Sequence, residues 1–165
     1  MANHFTSIPQ TLSRYRIPAS IVHTTAQALR EQGGGVREAV ALWQGRILSE
    51  EVAEITKLHV PRQLTGPLHF NVPLDERLRL VREVSKEDEF ILIQLHTHPR
   101  HAFHSVVDDQ LAITKHTGAI SIVIPDFGLR WDGDLLQTSV NRNLGCGHWV
   151  ELPHIEVSQL LEVVG

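Results

Sequence analysis

One cysteine, one methionine and one tyrosine stand among 165 residues, and aromatic residues make up only 5% of the chain. A lone thiol, Cys146, excludes an internal disulfide and suits a reducing compartment. Its Gly145-Cys146-Gly147-His148 setting reads as a tight turn rather than as the surroundings of a nucleophile. Excess positive charge is missing too: the formal net charge is -4. Binding to a phosphate backbone needs a basic surface that releases counterions, so nucleic acid is not an expected partner. No apolar segment approaches the roughly 20 residues of a membrane span. Residues 1–13 lack a basic start followed by an apolar run, so a cytoplasmic protein without membrane attachment is expected. Repeats, linkers and low-complexity tracts are absent as well. What is present is a 42% hydrophobic chain of a length that builds one domain, residues 1–165, around a real core.

The apolar pattern alternates between helical and extended periods. Residues 18–31 carry Ile21, Val22, Thr25, Ala26 and Leu29 on one stripe, and Gly33-Gly34-Gly35 ends that helix. Two strands over 36–48 and 51–60, joined at Ser49-Glu50, read as a hairpin closed by Pro61. Residues 62–73 show no periodicity and form a loop long enough to border a cleft. Leu74, Leu78, Val81 and Val84 predict a second helix, with its arginines facing solvent. Two unbroken apolar runs, 90–95 and 120–124, read as buried strands. Trp131-Asp132-Gly133-Asp134 is a hairpin-turn signal, with Trp131 and Trp149 expected to pack at the core rim. A strand near 147–152 and a helix over 156–164, with Val157, Leu160, Leu161 and Val164 aligned, complete an α/β domain.

Chemistry concentrates where the first buried run ends, at His96-Thr97-His98-Pro99 and then Ser105-Val106-Val107-Asp108. Alternate residues of an extended chain point the same way, so His96 and His98 can converge on one ion while Thr97 faces elsewhere. Ser105 precedes a segment with helical spacing, Val107, Leu111 and Lys115, which places Asp108 in a first helical turn. Ser-x-x-Asp is also the capping-box pattern, and the two roles are compatible. Two imidazoles and one carboxylate leave a fourth tetrahedral position of zinc open, the arrangement of a catalytic rather than a structural site. Upstream, Glu38 opens an apolar strand on the same side as Val40 and Leu42. An unpaired charge is costly there, and the bland alternative is a pairing with Arg37 or Arg46. His101 and His104 lie between the ligand groups, where they could bind a second metal or contact substrate, with His104 placed to orient the Ser105 hydroxyl. Phe103 is expected to anchor the same loop.

A glutamate opening an apolar strand that ends in glycine, then His-Thr-His-Pro, then Ser-x-x-Asp, resembles the JAMM metalloproteases, the MPN-plus domains, over residues 15–125. The resemblance implies an α/β sandwich related to that of cytidine deaminases. It implies that His96, His98 and Asp108 are zinc ligands, that Glu38 is the general base and that Ser105 stabilises the oxyanion. The implied activity is hydrolysis that frees a ubiquitin-like protein from its conjugates or processes its tail. Phe103-His104-Ser105 and the paired Asp108-Asp109 look most like prokaryotic members encoded beside activating-like and conjugating-like enzymes. Two positions depart from the family pattern: six residues, not seven, separate His98 from Ser105, and Ala41 stands where many relatives have glycine. The competing reading is a scaffold or binding module that keeps the fold without catalysis. Such modules usually lack a ligand or the glutamate, and here every one of those groups is in place. An unrelated metallohydrolase would want a His-x-His-x-Asp-His run, and a cytidine deaminase Cys-x-x-Cys; neither occurs.

Overall fold

A computed structural model describes residues 5–165 apart from the side chain of Asp109. The start of the N-terminal segment and the second of the paired aspartates thus lie outside the described residues. In chain order the elements are β1 (Arg14–Pro18), α1 (Ala19–Gly33), β2 (Val40–Ile47), β3 (Val52–His59), β4 (Leu64–Thr65), β5 (Phe70–Asn71) and α2 (Leu74–Lys86). Then follow β6 (Phe90–Thr97), α3 (Val106–Leu111), β7 (Ile120–Ile124), β8 (Ser139–Asn143), β9 (Trp149–Glu151), α4 (His154–Leu160) and β10 (Leu161–Val164). One eight-stranded mixed sheet runs β10-β1-β3-β2-β6-β7-β8-β9, and β4 and β5 make a small separate hairpin.

Strand alternation divides the core in two. Ala39, Ala41 and Trp43, with Ile93 and Leu95 of β6 and Ile120, Ile122 and Ile124 of β7, join Val22, Ala26 and Leu29 of α1 in the larger cluster. The opposite face sends Val40 and Leu42 into a smaller cluster with Phe70, Val72 and Leu80. Even-numbered residues of β2 therefore look toward α2 and odd-numbered ones toward α1. Ala41 belongs to the α1 side, away from Glu38, so its extra methyl group is absorbed by the larger core. Two glycines are required by geometry. Gly34 takes the left-handed conformation (φ 58°) that ends α1, its N–H bonding Arg30 O. At Gly45 a Cβ would stand 2.3 Å from the Glu54 carbonyl oxygen, so β3 can pass this close only beside glycine.

The structure corrects several expectations. The first hairpin strand starts at Val40 rather than at Val36, which is exposed; residues 36–38 are held by turn and loop hydrogen bonds instead. On α2 the buried stripe is Glu76, Leu80 and Val84, while Leu74, Leu78 and Val81 are exposed. A carboxylate can lead a buried stripe because Glu76 accepts from Arg62 N at 3.0 Å and from Arg79 at 2.8 and 2.9 Å. The last helix stops at Leu160, and residues 161–164 pair in parallel with β1, Tyr15 opposite Leu161 and Ile17 opposite Val163. The β-branched pair Val163-Val164 suits that strand better than a helix end. Asp132-Gly133 does turn the chain, with Asp134 N bonded to Asp132 Oδ1 at 3.1 Å, but it sits inside the long β7–β8 connection and not between hairpin strands. Cys146 occupies a tight exposed turn between Leu144 and His148. No helix of the described residues is long and apolar enough to cross a membrane.

Candidate metal centre

Antiparallel pairing of β2 with β6 sets the site. Val40 lies opposite His96, and beyond that last pair Thr97 N bonds Ala39 O at 3.0 Å, which holds the chain entering β2 beside the end of β6. Directly opposed residues project from the same face of the sheet. Val40 and His96 therefore share the side of the smaller core, and Glu38 and His98, just outside the paired residues, line one cavity. Thr97 points the other way, and its Oγ1 accepts from Ala39 N at 3.0 Å, tying the two strands at this point.

Two more contacts fix Glu38 from the loop side. Gln63 copies a neighbouring strand: its Oε1 accepts from Val40 N and its Nε2 donates to Val40 O, both at 2.8 Å. Glu38 N donates to Gly66 O at 2.7 Å. The loop between β3 and α2 therefore supplies the edge that β2 lacks there. Sequence gave no sign of Gln63, an ordinary polar residue in an aperiodic loop. The alternative of a simple ion pair for Glu38 fails at Arg46, which is committed to Glu54 at 2.5 Å.

Asp108 returns through the capping box at the start of α3. Ser105 Oγ accepts from Asp108 N at 3.2 Å, and Ser105 N donates to Asp108 Oδ2 at 2.6 Å. Locked this way, the carboxylate straddles both imidazoles, Oδ1 at 3.2 Å from His96 Nε2 and Oδ2 at 3.3 Å from His98 Nε2. The two Nε2 atoms are 3.2 Å apart. Nitrogen and oxygen ligands about 2.0–2.1 Å from a tetrahedral zinc stand about 3.3 Å from one another. The two imidazole nitrogens stand at that spacing, and Asp108 turns a different oxygen to each of them at a similar distance. His96, His98 and Asp108 are the group of the described residues able to hold a metal ion, and all three are buried. The six-residue loop after His98 is long enough to bring Asp108 home.

Electrostatics follow from the burial. Desolvation lowers the pKa of His96 against the pull of Asp108 and favours the neutral ring. Burial acts to raise Asp108, but hydrogen bonds from His96 and His98 outweigh it and hold the carboxyl well below its usual range. Glu38 goes the opposite way. Burial lifts it from 4.5 to about 7, with His98 lowering and Asp108 raising it by lesser amounts. Two carboxylates of one site are thereby driven apart, one a permanent anion and the other ready to exchange a proton near neutrality.

A cavity of about 300 Å³ opens over these groups, with Glu38, His98, Asp108 and Ser105 on its wall and Leu68, Phe103 and Val107 around them. Phe103 meets His98 edge-on at 4.8 Å, as an anchor for the loop would. His104 lies with its ring against Trp149 at 4.8 Å, and the Ser105 hydroxyl accepts from Asp108 N at 3.2 Å. His101 is exposed on the cavity rim, outside the ligand cluster.

No protein-family model matches the chain. A protein of Sinorhizobium fredii named "Probable metalloprotease y4jG" is 28% identical over 151 residues, 89% of this chain and 92% of that protein. The chain is similar to a probable metalloprotease. That likeness and the His-His-Asp cluster together fit a metal-dependent peptidase. The solution structure of protein DSY2949 from Desulfitobacterium hafniense matches with a TM-score of 0.65 over 91% of this chain and 92% of that one, at 16% identity, a likeness of fold.

Proposed function

We propose that the chain is a zinc-dependent peptidase of the JAMM type, which releases a ubiquitin-like protein from conjugates or trims its C-terminal tail. The observation that carries the reading is that Glu38, His98 and Asp108 line one cavity, beside the buried His96. Zinc is favoured over harder ions because two neutral imidazoles and one carboxylate form the donor set. When bound, zinc lowers the pKa of a coordinated water from about 15.7 to about 7 and polarises a carbonyl oxygen.

The chain's own groups supply the remainder. Glu38, with its pKa near 7, accepts a proton from the attacking water and returns it to the leaving amine. The Ser105 oxygen already accepts a hydrogen bond, yet its O–H proton remains free to donate toward an oxyanion developing on the substrate carbonyl. Leu68, from the tip of the β4–β5 hairpin, and Phe103 flank the cavity and shield a narrow extended tail from water. A glycine-ended tail of a ubiquitin-like protein, without bulk next to the scissile bond, suits such a slot.

The test is incubation of zinc-loaded protein with fusions of ubiquitin-like proteins, with and without chelator. Cleavage that stops with chelator, and a Glu38→Gln variant that keeps one zinc but turns over at least about a thousandfold more slowly, are expected. Normal turnover in that variant would refute the assignment.

A further inference from the structure

The segment 103–105 stands between two cavities, and Phe103 and Ser105 belong to the walls of both. The second cavity, about 390 Å³, opens toward β8 and β9 and has a different chemistry. Asn141 is opposite Glu151 and Asn143 opposite Trp149, so these side chains share one face of the sheet. Asn141 is buried, and its amide nitrogen is spent on Ser139 O (3.3 Å) and Ser139 Oγ (2.9 Å). Its amide oxygen is left as an acceptor on the cavity wall. Beside it is the exposed carboxylate of Glu151, which pairs with no cation among the described residues. The Trp149 ring, 4.8 Å from that of His104, forms a further side, and His104 and His148 complete the wall.

A carboxylate, an amide oxygen and an indole face together select a cation that carries several N–H donors and a flat or apolar stem. An acidic side chain would be repelled by Glu151, and an aliphatic one would leave both oxygens without donors. We propose that this cavity is a subsite for a basic side chain, arginine or lysine, of the substrate chain close to the scissile bond. The placement on the substrate's path rests on the peptidase reading; the selectivity for a cation does not. Because Ser105 belongs to both walls, a chain lying across it would present neighbouring residues to the apolar cavity and to this one.

Zinc-loaded protein is titrated with N-acetyl-arginine methylamide and with its neutral isostere, N-acetyl-citrulline methylamide, following the indole N–H resonance of Trp149. The arginine probe is expected to shift that resonance saturably and to bind about tenfold tighter than citrulline, a preference lost in Glu151→Gln. The indoles of Trp43 and Trp131, bonded to Thr25 and Asp134, report in the same spectra that the variant is folded. Equal affinity for the two probes, or an unchanged preference in Glu151→Gln, would overturn the proposal. Peptides with arginine or citrulline at successive positions supply the second arm. Cleavage indifferent to every such exchange removes the subsite from the substrate's path, and a failure to cleave any substrate removes the peptidase reading, while the titration still decides what the cavity binds.

Discussion

Glu38→Gln should make the metal-free protein more stable, and by an amount that grows with pH. The glutamate is 4% exposed, and burial lifts its carboxyl from 4.5 to about 7. At about 1.4 kcal/mol per pH unit, that rise amounts to a ceiling of about 3 kcal/mol. Between the two values the folded protein keeps the proton while the unfolded chain has released it. Stability from this group is therefore complete below about pH 4.5 and is lost as pH rises through about 7. Glutamine carries no such slope. Urea denaturation of chelator-treated protein, followed by tryptophan fluorescence across this range, should give similar midpoints for both proteins near the acid end. The variant should lead by up to about 3 kcal/mol at mildly alkaline pH. Zinc should shrink the gap, because a nearby cation favours the carboxylate. Parallel stability curves would mean that Glu38 is an ordinary solvated acid, and its role as a base poised near neutrality would lose its physical ground.

Other consequences are as direct. Asp108→Asn removes a ligand charge and half of the capping box, so metal affinity measured by competition with a chromophoric chelator should fall at least about tenfold. Saturating zinc should raise the urea midpoint of the wild type, by about 4 kcal/mol at a thousand times Kd, and should have little effect on His98→Ala. Gln63→Leu leaves the Val40 N–H and C=O without their side-chain partner at a cost of about 1–3 kcal/mol, and turnover should fall as the chain that carries Glu38 into the cavity loosens. Hydrogen bonds from Arg79 hold Glu76 near 2, so its contribution is present above about 4.5 and lost as pH falls toward 2; Glu76→Gln should flatten that part of an acid-denaturation curve.

Local periodicity made the site legible, while partners distant in sequence hid other parts of the fold. His96 and His98 follow from alternation at the end of a buried strand, whereas Glu38 lies ahead of β2 in a segment held by turn and loop hydrogen bonds, and its role is implied by the resemblance. The stripe of α2 went astray because Leu74, Leu78 and Val81 mimic a buried face. The true stripe is led by Glu76, and only the distant Arg62 N–H and the neighbouring Arg79 make its burial affordable. β1 did carry a signal, since Tyr15 and Ile17 alternate with exposed Arg14 and Arg16. It is short, and half of its pairing comes from residues 161–164 at the other end of the chain. β8, Ser-Val-Asn-Arg-Asn, gives no strand signal, and yet most of it is buried.

That last failure has the same origin as the second cavity. A row of residues crosses the sheet in register, Leu42, Gln94, Ser121, Asn141 and Glu151, and turns from apolar to polar as it leaves the α2 core. Gln94 Oε1 is satisfied by Ile113 N at 2.7 Å, whereas Gln94 Nε2 and Ser121 Oγ are buried without protein partners. Such groups cost about 1–3 kcal/mol each if left dry, so ordered water is the economical solution beneath α3. A polar row of this kind weakens the core and gives the loop before α3 little apolar surface to settle on. The capping box between Ser105 and Asp108 restrains that loop together with the ring contacts of Phe103 and His104, and the same hydrogen bonds that start a six-residue helix set the aim of the carboxylate at both imidazoles.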